Sequence, residues 1–159
     1  MSVKAIPDGY HSITPYLTVR DAARAIEFYK QAFGAVERGV SHDPDGKVMH
    51  AELRIGDSII MLADEFPAFG SVSPQAIGGS ASGLHIYIED VDSAFDRAVN
   101  AGAIVEMPVA DMFWGDRYGK LRDPFGHKWS IGTHKADLSQ EEMQRGMQEA
   151  MAKMMPKSA

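Results

Sequence analysis

The sequence predicts an α+β fold made of two tandem βαβββ modules that form a curved mixed-sheet cleft, followed by a C-terminal helix. Three observations carry that reading. The alternating segment Ile13-Thr-Pro-Tyr-Leu-Thr-Val19 returns about seventy residues later as Leu84-His-Ile-Tyr-Ile88, a spacing that marks an internal repeat. Each copy runs into an aspartate that can cap a helix, Asp21 or Asp90, and then into a helical apolar stripe closed by a glycine. Each helix is followed by three more strand-like segments divided by turn residues.

In the first module, Ala22, Ala25, Ile26, Tyr29 and Phe33 share one helical face, and Gly34 ends the helix. Ala35 to Ser41 then reads as a strand, His42-Asp-Pro-Asp-Gly46 as a turn, Val48 to Ile55 as a strand, Gly56-Asp57 as a turn and Ser58 to Ala63 as the last strand. Asp64 to Ser82 is rich in Pro, Gly, Ser and Ala without periodicity, so it reads as a connection. In the second module, Val91, Ala94, Phe95 and Ala98 form the stripe before Gly102. Ile104 to Val109 is the next strand, Ala110 to Asp116 a longer loop, and Arg117 to Arg122 a further strand. Asp123-Pro-Phe-Gly126 is a type I turn with proline at its second position, and Lys128 to Thr133 closes the module. Ser139 and Glu142 make a capping box for the final helix, along which Met143, Met147, Met151 and Met154 recur before Pro156 ends it. This methionine stripe is expected to pack on this subunit or on another.

The boundaries that follow are 1–138 for a single domain, with modules at about 10–64 and 83–136 around a connection at 65–82, and 139–159 for the helix and tail. At 159 residues and 45% hydrophobic content one core is the default. No apolar run approaches the roughly 18 residues of a membrane span, and the first residues lack an apolar leader, so no membrane role and a cytoplasmic location are expected. The absence of cysteine fits a reducing compartment and removes thiolate chemistry and zinc–thiolate sites. A net charge of −6 argues against nucleic acid and leaves a small molecule as the expected partner. There is no Gly-x-Ser-x-Gly elbow, and Gly78-Gly-Ser-Ala-Ser-Gly83 lacks the lysine of a phosphate-binding loop.

The tandem modules, the two capping aspartates and Asp123-Pro-Phe-Gly126 before the last strand resemble the vicinal-oxygen-chelate superfamily of glyoxalase I, extradiol dioxygenases, and bleomycin and fosfomycin resistance proteins. Within it, Ile13-Thr-Pro-Tyr-Leu, Met49-His-Ala-Glu-Leu53, Phe113-Trp-Gly-Asp-Arg-Tyr-Gly119 and Asp123-Pro-Phe-Gly-His-Lys-Trp-Ser130 look like the PhnB-like branch. The resemblance covers Ile13 to about Asp137 and implies a ligand cleft, usually in a homodimer. It also implies four metal ligands, an imidazole or similar group early in the first strand of each module and a glutamate in each last strand. Those places fall on Thr14, Gly83, Met61 and Ser130, so the usual site is expected to be lost and no metal or other cofactor is assigned.

Strand alternation puts Thr14, Tyr16 and Thr18 on one face of the first strand, His85 and Tyr87 on the matching face of the fifth, and His50 with Glu52 on one face of theirs. If Leu17, Val19, Leu84, Ile86 and Ile88 face the helices, the polar set looks into a shared hollow. His50, Glu52 and His85 could hold a relocated metal, or serve as hydrogen-bonded pocket groups. In the loop, Trp114 is expected to stack on a planar or apolar ligand and Arg117 to meet a carboxylate or phosphate; alternatively Asp116 and Arg117 tie the loop together. His127 reads as an exposed turn residue. The expected function is small-molecule binding of the bleomycin-resistance type, with Thr14, Tyr16, His50, Tyr87, Trp114 and Arg117 as ligand contacts. The alternative is a metal-independent or relocated-metal lyase or isomerase of the glyoxalase type, with His85 or Glu52 as proton-transfer base.

Overall fold

A computed structural model describes residues 3–154. The first module comprises β1 (Tyr16–Val19), α1 (Ala22–Phe33), β2 (Val36–His42), β3 (Val48–Ile55) and β4 (Ser58–Asp64). The second comprises β5 (Gly83–Tyr87), α3 (Val91–Asn100), β6 (Ile104–Asp111), β7 (Asp116–Arg122) and β8 (Lys128–His134), with α2 (Pro74–Ile77) in the connection and α4 (Gln140–Met154) at the end. Pro156 lies outside the described residues.

The two sheets repeat one plan, β1-β4-β3-β2 and β5-β8-β7-β6, with the first strand parallel to the fourth and the other pairs antiparallel. No strand of one sheet pairs with a strand of the other among the described residues, so neither a barrel nor one continuous sheet forms. The capping aspartates act as expected, Asp21 accepting from the Arg24 amide and Asp90 from the Ser93 amide, each at 3.1 Å. Asp21 takes a left-handed backbone, φ 62°, a conformation that aspartate tolerates better than most residues.

Several boundaries differ. β1 begins only at Tyr16, after Pro15, whose ring nitrogen has no hydrogen for a ladder. β6 extends to Asp111 because Ala110 and Asp111 pair with Tyr118 and Arg117, which reduces the expected loop to Met112–Gly115. The connection holds a short helix, α2, capped by the Ser73 side chain and opened by Pro74.

Leu17, Val19, Leu53 and Leu62 from the first sheet, and Leu121, Trp129 and Ile131 from the second, turn onto the buried stripes of α1 and α3 to form one core. At its centre Asp123, 2% exposed, accepts the Tyr29 hydroxyl at 2.6 Å, the Trp129 indole N–H at 2.9 Å and the amides of Phe125 and His127 at 2.9 Å each. A buried carboxylate is tolerable only with such a set of donors. The first-module helix is thereby tied to the second-module turn. His127 is not the exposed turn residue expected. Its Nε2 lies 2.9 Å from the Thr18 carbonyl, so the turn reaches across to β1.

α4 has its capping box, with Ser139 and Glu142 bonded reciprocally, but no residue of it is buried. Met143, Met147, Met151 and Met154 are 40 to 83% exposed and do not join the core. The helix touches the body at Gly146, where a side chain would meet Phe113 Cβ at 2.9 Å.

Candidate functional site

The candidate site is built on the outer faces of the two sheets, opposite the helices. On the first, register places Tyr16 and Glu52 on either side of Met61. The Tyr16 hydroxyl lies 3.0 Å from His50 Nδ1 with ring centroids 5.6 Å apart, and His50 Nε2 lies 3.4 Å from Glu52 Oε1. The N-terminal arm covers this face. Tyr10, beside Glu52 on the same cavity, and His50 hold the Glu52 carboxyl below its usual pKa. Tyr10, Thr14, Glu52 and Met61 line a cavity of about 450 Å³.

On the second sheet His85 lies opposite Ser130, with Nδ1 2.8 Å from the hydroxyl oxygen, and Lys120 flanks Ser130 on the other side. The imidazole stacks on Tyr118 at 5.7 Å and meets Tyr87 edge-on at 4.5 Å. Burial pushes its pKa down, against a weaker opposing pull from Asp116, so the ring is neutral at pH 7 and keeps one nitrogen free of a proton. Gly83, His85, Tyr118, Lys120 and Ser130 border a cavity of about 310 Å³.

The two faces are related by the repeat. Tyr16 and His85 occupy the same place before Asp21 and Asp90, Met61 matches Ser130, and His50 matches Tyr118. Tyrosine over histidine in one module thus becomes histidine over tyrosine in the other.

Beside His85, Asp116 organises the loop. Its Oδ2 accepts the Trp114 indole N–H at 3.1 Å and the Tyr87 hydroxyl at 3.2 Å, and its Oδ1 lies 2.7 Å from His134 Nδ1. Burial alone would raise the Asp116 carboxyl, but donors from His134, Trp114 and Tyr87 outweigh it and leave the pKa low. His134 is shifted up by Asp116 and by Asp137, whose carboxylate is 2.9 Å from Nε2.

Among the residues singled out in the sequence, Tyr16, His50 and Glu52 form one cluster, and His85, Tyr87 and Trp114 belong to another. Thr14 reaches both regions. It also joins Pro15, Ile59, His85 and Tyr87 around a cavity of about 540 Å³ between the modules. His50 and Glu52 are therefore not brought to His85 within the chain, and among the described residues no three His, Asp or Glu groups converge to hold a metal. Arg117 is not free for a ligand anion. Its Nε and Nη2 bind Asp92 at 2.7 and 2.8 Å and its Nη1 binds Asp111 at 3.1 Å, which fastens α3 to the β6–β7 hairpin. Sequence reasoning passed over Tyr10, Tyr118 and Lys120. Alternation along β7 could have found Tyr118 and Lys120, whereas no local signal carries an arm that folds back.

The four places of the expected metal set come together in pairs, Thr14 with Met61 on one cavity and Gly83 with Ser130 on another. One methionine, one glycine without a side chain and two hydroxyls do not make the imidazole–carboxylate set that a divalent ion of that kind requires.

Fold and site together define a class. The Glyoxalase/Bleomycin resistance protein/Dioxygenase superfamily model matches residues 9–131, and the chain belongs to that superfamily. It is 45% identical over 139 residues to an uncharacterized protein of Mycobacterium tuberculosis, covering 86% of this chain and 82% of that one. The crystal structure of an Arabidopsis thaliana gene product is similar at a TM-score of 0.63 and 30% identity, covering 77% of this chain and 98% of that one. The PhnB protein of Bacillus cereus shares the fold at a TM-score of 0.61 and 21% identity, over 77% and 99% of the two chains.

Proposed function

We propose that this protein binds a small organic molecule on the outer faces of its sheets, by shape, stacking and hydrogen bonds, without the divalent ion that metal-using relatives hold there. What supports this reading is the chemistry of Thr14, Met61, Gly83 and Ser130, where the resemblance puts the metal ligands, each beside a cavity lined by aromatic and polar side chains. Such a surface meets the requirements of a binding pocket: apolar walls and a few orienting polar groups. Each sheet offers part of a hollow, and a homodimer would complete it; a single unit over 1–138 and a cytoplasmic location complete the proposal.

One observation favours a second reading. A neutral, partly buried His85 bonded to Ser130 can take a proton, as a metal-independent lyase or isomerase would need, with Glu52 the other candidate base. Titration of intrinsic tryptophan fluorescence with a panel of metabolites and drugs tests binding, and two variants separate the readings. Trp114→Ala is expected to abolish binding in both cases. His85→Gln is expected to spare binding, and to remove turnover of a bound compound only where there is chemistry. Unchanged affinity in Trp114→Ala, with the fold intact by circular dichroism, would refute the site.

A further inference from the structure

α4 and the β6–β7 edge of the second sheet enclose a cavity of about 550 Å³. Three aromatic rings form its corner. Phe113 meets Trp114 edge-on at 5.1 Å, and Trp114 meets Tyr118 edge-on at 5.4 Å, so flat faces are presented in mutually perpendicular planes. The indole is fixed before anything binds, because its N–H is held by Asp116. A rigid aromatic anchor loses little entropy on binding. Facing it are the thioethers of Met107, Met112 and Met154, which adapt to the edge of a ring and contact it favourably.

Charge narrows the class of ligand. Lys120 from β7 and Lys153 from α4 both line the cavity, and among the described residues neither ammonium has a carboxylate oxygen within 4.0 Å. Of the two carboxylates on the wall, Asp111 is bound to Arg117, which leaves Glu149 against two lysines. Resting on the small-molecule reading above, we propose that this cavity takes a planar aromatic carboxylate. The ring lies between Trp114 and the thioethers and the carboxylate meets Lys120 and Lys153.

α4 is the lightly packed wall of this cavity. A helix of about fifteen residues is marginal in water without packing, and this one buries no side chain, its close approach to the body being that of Gly146 to Phe113. A ligand bridging Trp114 and Lys153 supplies the contact that α4 lacks, so occupancy of the cavity and order in the helix are coupled.

The test is calorimetric titration of the full chain with naphthalene-2-carboxylate and with its neutral amide. The acid is expected to bind about tenfold more tightly, the worth of one charge-assisted contact. Lys120→Gln and Lys153→Gln should each erase most of that preference, Glu149→Gln should increase it, and the acid should slow amide hydrogen exchange across 140–154. Equal binding of acid and amide, or a preference that survives both lysine variants, overturns the proposal. Binding of neither naphthalene compound, while other compounds still bind in a Trp114-dependent way, overturns this ligand class and leaves the small-molecule reading standing. If nothing binds, both fall.

Discussion

Replacing Tyr29 by phenylalanine removes one oxygen from the centre of the molecule and keeps the ring in place. Tyr29 is fully buried, and its hydroxyl donates at 2.6 Å to Asp123 Oδ2, which also accepts from Trp129. A neutral hydrogen bond contributes about 0.5–1.5 kcal/mol and one to a charged group about 1.5–3 kcal/mol. Asp123 keeps its indole donor and two amide donors in the variant, so it is not stranded. The loss therefore belongs at the lower end of the charged range, about 1.5–2 kcal/mol. For a chain of this size that corresponds to a fall in Tm of about 3–8 °C. Urea unfolding followed by far-UV circular dichroism measures it, with an unchanged m-value showing that only stability has moved. A loss below about 0.5 kcal/mol, the range of an ordinary surface substitution, would refute the view that this bond ties the two modules together.

Two further outcomes are expected. Gly119→Ala puts a methyl 2.7 Å from Phe95 Cε2, closer than real contacts allow, and a tight 3.1 Å from Val109 Cγ2, so thermal unfolding should reveal an overpacking cost of about 1–3 kcal/mol. Because Asp116 and Asp137 raise the His134 pKa in the folded state, the stability this residue contributes is complete below its unfolded pKa of about 6.5 and is lost as pH rises through the higher folded value. The Tm difference between the native protein and His134→Gln should accordingly shrink from pH 6 to pH 9, and a constant difference would rule the linkage out.

Most of the fold is legible in the sequence because its signals are local. Asp21 and Asp90 cap the residues next to them, the turn at Asp123 closes on itself, and β3 spans Val48–Ile55 as alternation predicts. The differences arise where distant residues decide. His127 finds the Thr18 carbonyl far away in the chain, and Tyr10 comes to the Glu52 cavity by folding the arm back. Arg117 was legible as a candidate anion binder, yet its environment was not, since Asp92 lies on a different element and consumes the charge. Trp114 was expected to stack on a ligand; the sequence did not show that Asp116 would hold its indole.

The exchange of tyrosine and histidine between the two outer faces has a consequence for recognition. The two halves repeat one plan in their interior, held by the Asp123 clamp and the helix stripes, and differ at the faces turned away from the helices. Side chains that carry no burden of folding are free to vary, so the same scaffold can change what it recognises one half at a time, without its architecture being renegotiated.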